Sequence, residues 1–134
     1  MESAPRTKIL NVDDWTPNLY VRRRLLEVAG YEVLNACTGA DALRFAAWFK
    51  PALILLDVQL PDMSGLDVAR TLKTSSWSAA IKIVCISAAF PKETSPWAEP
   101  YGRVDAYLTE PCHPRELLDT IRDVLSGQAQ PQVP

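Results

Sequence analysis

The sequence predicts an α/β domain built on a five-stranded parallel sheet, and three observations carry that expectation. Short apolar runs alternate with helix-period patterns over residues 7–125, the order that builds βαβ units. One run, Pro51-Ala52-Leu53-Ile54-Leu55-Leu56, is apolar throughout and ends on Asp57. A strand without polar alternation is buried on both faces, as in a parallel sheet. Another run, Lys8-Ile9-Leu10-Asn11-Val12, leads into Asp13-Asp14. Acids at the carboxyl ends of such strands stand where open α/β sheets bind their ligands.

Each element has its own local warrant. The first strand is residues 8–12, and the helix after it takes Thr16 as N-cap and Pro17 at its first helical position. That helix runs to about Val28, with Leu19, Leu25, Leu26 and Ala29 facing inward and Gly30 stopping it. A second strand covers residues 32–36, and a second helix starts at Thr38 with Ala42, Leu43, Ala46 and Phe49 at helical spacing. Residues 53–56 form the third strand. The third helix follows Ser64-Gly65, with Leu66, Val68, Ala69 and Leu72 apolar. Strands at 82–86 and 106–108 come next, and a last helix runs from His113-Pro114 to Leu125 with Leu117, Leu118, Ile121, Val124 and Leu125 inward. Between the fourth and fifth strands, Pro91, Pro96 and Pro100 allow only a short or irregular fourth helical segment. Residues 1–6 are expected to be disordered, and 126–134 to form a flexible tail or linker.

Composition narrows the function. The 134 residues suffice for one domain with a full core, and 48% hydrophobic with 22% charged is ordinary for a soluble protein. A formal net charge of −2 argues against a nucleic-acid surface. No apolar stretch approaches the roughly 20 residues of a membrane span, and the segment from Met1 to Thr7 lacks a signal-peptide core. Cys37, Cys85 and Cys112 lack metal spacing and are expected to be reduced, mostly packed thiols of a cytoplasmic protein. If the strands ending at Asp13-Asp14 and Asp57 are parallel neighbours, three carboxylates converge on one rim. That arrangement is costly without a cation and points to a hard divalent metal.

Four motifs in register resemble the receiver domain of two-component response regulators: Ile9-Leu10-Asn11-Val12-Asp13-Asp14, the stretch from Leu56 through Asp57 to Gly65, Cys85-Ile86-Ser87-Ala88, and Asp105-Ala106-Tyr107-Leu108-Thr109-Glu110-Pro111. The resemblance implies a flavodoxin-like doubly wound sheet of order 2-1-3-4-5. It also implies that Asp57 is the phosphoacceptor for a histidine kinase or histidine phosphotransfer protein. Mg2+ would be held by Asp14, Asp57 and the backbone carbonyl of Gln59, with Asp13 acting mainly through a metal-bound water. By the same resemblance Ser87 is the hydroxyl that bonds the phosphoryl group, Tyr107 the switching aromatic, and Pro111 a cis-proline. The output face would be the fourth helical segment, the fifth strand and the last helix. The module would be a monomer or weak dimer without nucleic-acid or membrane binding.

The sequence departs from the family at Glu110, where a lysine that bridges to the phosphoryl group is usual. The exchange is a swing of two charges beside Asp57, and one unit pair at ~4 Å near a surface is worth roughly 4 kcal/mol before screening. Glu110 is expected to swing outward, to pair with Lys92, Arg115 or a second ion, or to mark a receiver that no longer switches. Thr-Glu-Pro endings also resemble a subset of receivers attached to sensor kinases. Arg103 replaces a usual glycine, with Gly102 one place earlier. Arg22-Arg23-Arg24 reads as a solvated helix face or a docking patch. Trp15 should lie near the acids, while Trp48, Trp77 and Trp97 read as surface residues, Trp97 the best interface candidate.

Two functions therefore stand: a phosphoacceptor receiver, or a pseudo-receiver binding partners independently of phosphorylation. An aspartyl-phosphate phosphatase would need a second acid two residues after its nucleophile, where Gln59 stands. The domain is accordingly expected not to be an enzyme.

Overall fold

The computed structural model describes residues 5–88 and 104–127. In chain order the elements are β1 (Lys8–Val12), α1 (Thr16–Val28), β2 (Glu32–Ala36), α2 (Gly39–Phe49), β3 (Leu53–Asp57), α3 (Gly65–Thr74), β4 (Lys82–Ser87), β5 (Ala106–Thr109) and α4 (Pro114–Ser126). All five strands pair in parallel, in the order β2-β1-β3-β4-β5. The fold is thus the flavodoxin-like sheet expected. The two described halves of the β4–β5 connection leave Lys92, the three prolines at 91, 96 and 100, Trp97, Gly102 and Arg103 outside the described residues. Residues 1–4 and 128–134, which hold most of the expected disordered start and tail, lie outside them as well.

Strand alternation divides the core into two layers. Leu10, Val12, Ile54, Leu56, Ile83 and Cys85 face α2 and α3, meeting Ala42, Ala46, Leu66, Val68, Ala69 and Leu72. Their neighbours Ile9, Leu53, Leu55, Val84, Ile86, Ala106 and Leu108 face α1 and α4, meeting Leu26, Leu117, Ile121 and Val124. Because both faces are covered, the strands can be apolar end to end, and only the rims are free to carry charge.

Several local expectations shift. Thr16 is already helical; Trp15 is the N-cap of α1 and makes no side-chain cap bond. The turn is held instead by Asp13, which accepts a hydrogen bond from Trp15 N at 2.9 Å. Ala29 is exposed and Leu25 half-buried, whereas Arg22 is buried between Leu19 and Leu26 on the inner face of α1. Thr38 caps α2 by accepting from Asp41 N at 3.0 Å, and Ser64 caps α3 by accepting from Leu66 N at 3.1 Å. His113 caps α4 through a bond from Arg115 N, which accounts for it without catalytic chemistry. Of the thiols only Cys85 is buried; Cys37 is exposed and Cys112 half-buried, and none is in a disulfide. Burial pushes the Cys85 thiol up, and burial with the neighbouring Glu116 carboxylate pushes Cys112 up to about 12. Neither of these two has the character of an activated thiol.

Candidate functional site

Parallel pairing of β1 with β3 sets Val12 opposite Leu56, so the residues that follow meet at one rim. There Asp13, Asp14 and Asp57 each place a carboxylate oxygen within 4.8 Å of the others. The three sit differently. Asp13 is buried and both its oxygens are engaged: Oδ1 by Trp15 N, Oδ2 by Asn18 Nδ2 at 3.1 Å and by Arg22 Nη1 at 2.6 Å. Asp14 is exposed. Asp57 is half-buried, and its Oδ1 accepts from Gln59 N at 3.1 Å, which leaves Oδ2 without a hydrogen-bond partner among the described residues. Burial pushes the Asp57 carboxyl up to about 6, with Asp13 and Asp14 adding to the rise while the Gln59 amide and Arg22 oppose it. A carboxylate so placed is ionised only reluctantly beside its two neighbours.

The donor set consists of three carboxylates, without nitrogen or sulfur. That chemistry fits a hard dication such as Mg2+, which takes oxygen ligands and keeps several waters. Asp14 and the outer oxygen of Asp57 are the groups open to such an ion. Asp13 already accepts from three donors.

Around the acids stand the other residues singled out from sequence. Ser87 ends β4, is buried, and its carbonyl accepts from Glu110 N at 2.9 Å. Tyr107 lies on β5 opposite Cys85, half-buried against the α2–α3 layer, and burial pushes its phenol up. The Glu110-Pro111 peptide is cis. The turn after Asp57 is closed tightly: Gln59 bridges to Ser64, and Gly65 N donates to Val58 O at 2.7 Å. A Cβ on Gly65 would lie 2.2 Å from the Asp57 carbonyl oxygen, so glycine is required where α3 starts beneath the site. Asp62 in the same loop accepts from Gly39 N and Ala40 N at 2.8 and 2.9 Å, tying the loop to the start of α2. Those two amides hold the Asp62 carboxyl below its ordinary range.

Glu110 does not pair with Arg115. It pairs with Arg22, whose Nη2 donates to Glu110 Oε1 while Nη1 donates to Asp13. Lys92, the other partner expected, lies outside the described residues. The reading of Arg22 as part of a solvated basic face is therefore corrected, since Arg23 and Arg24 are exposed but Arg22 is not. A signal for this was present: Leu19, Arg22 and Leu26 share one helical stripe at i, i+3 and i+7, so position 22 had to face inward. Trp15 is 60% exposed and borders the site through its backbone N–H, which donates to Asp13. Trp48 and Trp77 are exposed, as expected.

The response regulator receiver domain model matches residues 9–122. The protein PilH of Pseudomonas aeruginosa is 32% identical over 120 residues, covering 90% of this chain and 98% of that protein. The polar-differentiation response regulator DivK of Brucella anthropi is 32% identical over 117 residues, 87% of this chain and 94% of its own. Among solved structures, a CheY-like receiver domain protein from Methanospirillum hungatei superposes with a TM-score of 0.84 at 31% identity, covering 92% of this chain and 97% of that one.

Proposed function

The chain belongs to the response regulator receiver family of two-component systems, and from that premise we propose that Asp57 accepts a phosphoryl group from the phosphohistidine of a histidine kinase or phosphotransfer protein, with Mg2+ as cofactor. The observation that carries the reading is the meeting of Asp14 and Asp57 with Asp13 at the carboxyl rim. The free oxygen of Asp57 would attack phosphorus; the new O–P bond forms as the P–N bond breaks, and the electron pair stays on the imidazole nitrogen. Mg2+, when bound, supplies the charge neutralisation that lets acids and phosphoryl oxygens share one pocket.

The chain's own residues would do the positioning. Gln59 N fixes one oxygen of Asp57 and thereby aims the other outward. Asp14, Asp57 and the Gln59 carbonyl would hold the ion, and Asp13 would reach it through water. The Ser87 hydroxyl would bond a phosphoryl oxygen, with Tyr107 following that movement as the switch. We read the protein as a cytoplasmic signalling module, not an enzyme acting on a separate substrate. Its output partner would bind the face that includes β5 and α4, and the module would work as a monomer or weak dimer. Among the described residues no helix is long and apolar enough to cross a membrane. The phosphorylation-independent alternative drew on Glu110 and on the prolines at 91, 96 and 100; Glu110 pairs with Arg22, which supports the phosphoacceptor reading, and the prolines lie outside the described residues.

Incubation with Mg2+ and acetyl phosphate, followed by intact mass, tests the proposal. Wild type should gain one phosphoryl group and Asp57→Asn none. Absence of the heavier species in wild type, with another receiver labelled in parallel, would refute it.

A further inference from the structure

The rim carries four carboxylates, Asp13, Asp14, Asp57 and Glu110, and one guanidinium paired with two of them among the described residues. That guanidinium belongs to a residue 8% exposed, inserted between Leu19 and Leu26 where an apolar residue would pack. Asp13 and Arg22 are buried and Glu110 partly so, and burying charges is a poor way to add stability, because their desolvation offsets most of their attraction. Its position suggests another use. Arg22 bonds Asp13 at 2.6 Å, and a carboxylate oxygen of Asp13 lies within 4.8 Å of those of Asp14 and Asp57. Two carboxylate oxygens do not exhaust the donors of a guanidinium, and the planar fork is suited to phosphate oxygens as well as carboxylates. On the other side, Glu110 occupies the place before the cis-proline where the family's cation is expected.

We propose that the charge at this site has been relocated: Arg22 on α1 is the cation that stabilises the phosphoryl group on Asp57, and Glu110 is the positioning residue that holds it in place in the unmodified chain. When Asp57 is phosphorylated, the guanidinium exchanges its bond to Glu110 for the new phosphoryl oxygens. Glu110 is then released at the turn leading into α4. The inference rests on the reading of Asp57 as phosphoacceptor and assigns that site its missing positive charge.

Loading by acetyl phosphate at saturating Mg2+ is followed by intact mass in wild type, Arg22→Gln and the double variant Arg22→Gln/Glu110→Lys. Mg2+ affinity is read in the same proteins from Trp15 fluorescence. Arg22→Gln should slow loading about tenfold or more yet bind Mg2+ more tightly, because a competing positive charge is gone. A merely structural loss would weaken both. The double variant returns the cation to position 110 and should load within about threefold of wild type. Wild-type loading that Arg22→Gln leaves unchanged would overturn this inference and spare the phosphoacceptor reading; failure of wild type to load would remove both. Should Arg22→Gln not fold, the double variant decides: loading more than about tenfold slower than wild type counts against the relocation.

Discussion

Asp105 and Asp57 stand at opposite ends of one sheet, and their surroundings differ in sign. At the amino end, Asp105 Oδ2 accepts from Ile83 N at 2.8 Å and from Lys73 Nζ at 3.0 Å, with Lys82 Nζ 3.9 Å from Oδ1. One acid there has two cations and a backbone amide. At the carboxyl end, Asp57 has one backbone amide and two acidic neighbours, and its carboxyl is pushed up to about 6. The first arrangement holds the start of β4 to β5 and asks nothing of solvent. The second keeps more carboxylates than the single Arg22 guanidinium beside them can balance. A fold that pairs its acids at one end crowds them at the other, and that contrast is what supports a functional role for the carboxyl end.

The largest expected effect comes from the support beneath the acidic end. Gly65→Ala forces a methyl against the Asp57 carbonyl, and should cost about 3 kcal/mol in urea denaturation. Mg2+ affinity should fall with it. Asp105→Asn should destabilise by about 1 kcal/mol, because both ion pairs are partly exposed and lose little each. Asp57→Asn should do the reverse: without metal at pH 7 it should stabilise by about 1 kcal/mol after allowance for solvent screening. Opposite signs for these two Asp→Asn changes would sharpen the contrast; equal signs would break it.

The smallest effect is in pH. The folded-state value of Asp57 is raised from 3.8 to about 6, so between those values the folded chain holds a proton that the unfolded chain has released. Wild-type stability without metal should therefore fall as pH rises from about 4 to about 6. The advantage of Asp57→Asn should appear over the same window and vanish near pH 4. Parallel curves for the two proteins would show that Asp57 does not feel its neighbours.

Most of the fold was legible because its two periodicities are distinct: apolar runs for buried strands and a three-to-four spacing for helices. β3, β4 and β5 each extend one residue past their apolar runs, to Asp57, Ser87 and Thr109. The ladder continues through polar residues, as Glu110 N bonding Ser87 O shows, and side-chain pattern is blind to that. The meeting of three acids was legible too, since it needs only β1 and β3 as parallel neighbours. The Arg22 bridge was not. Its partners lie 9 and 88 residues away, so the stripe that turns position 22 inward does not say what it meets there. The bonds of Asp62 to Gly39 and Ala40 escaped for the same reason, since they join two loops whose proximity only the folded sheet decides.

Thermal denaturation across a Mg2+ titration tests the central claim most directly. Wild type should gain stability saturably, by about 2.7 kcal/mol when the ion stands at a hundred times its dissociation constant, while Asp14→Asn and Asp57→Asn should each gain far less at the same concentrations. A wild-type melting curve that does not move with Mg2+, or one that the two variants reproduce, would contradict a shared ion between the first and third strands.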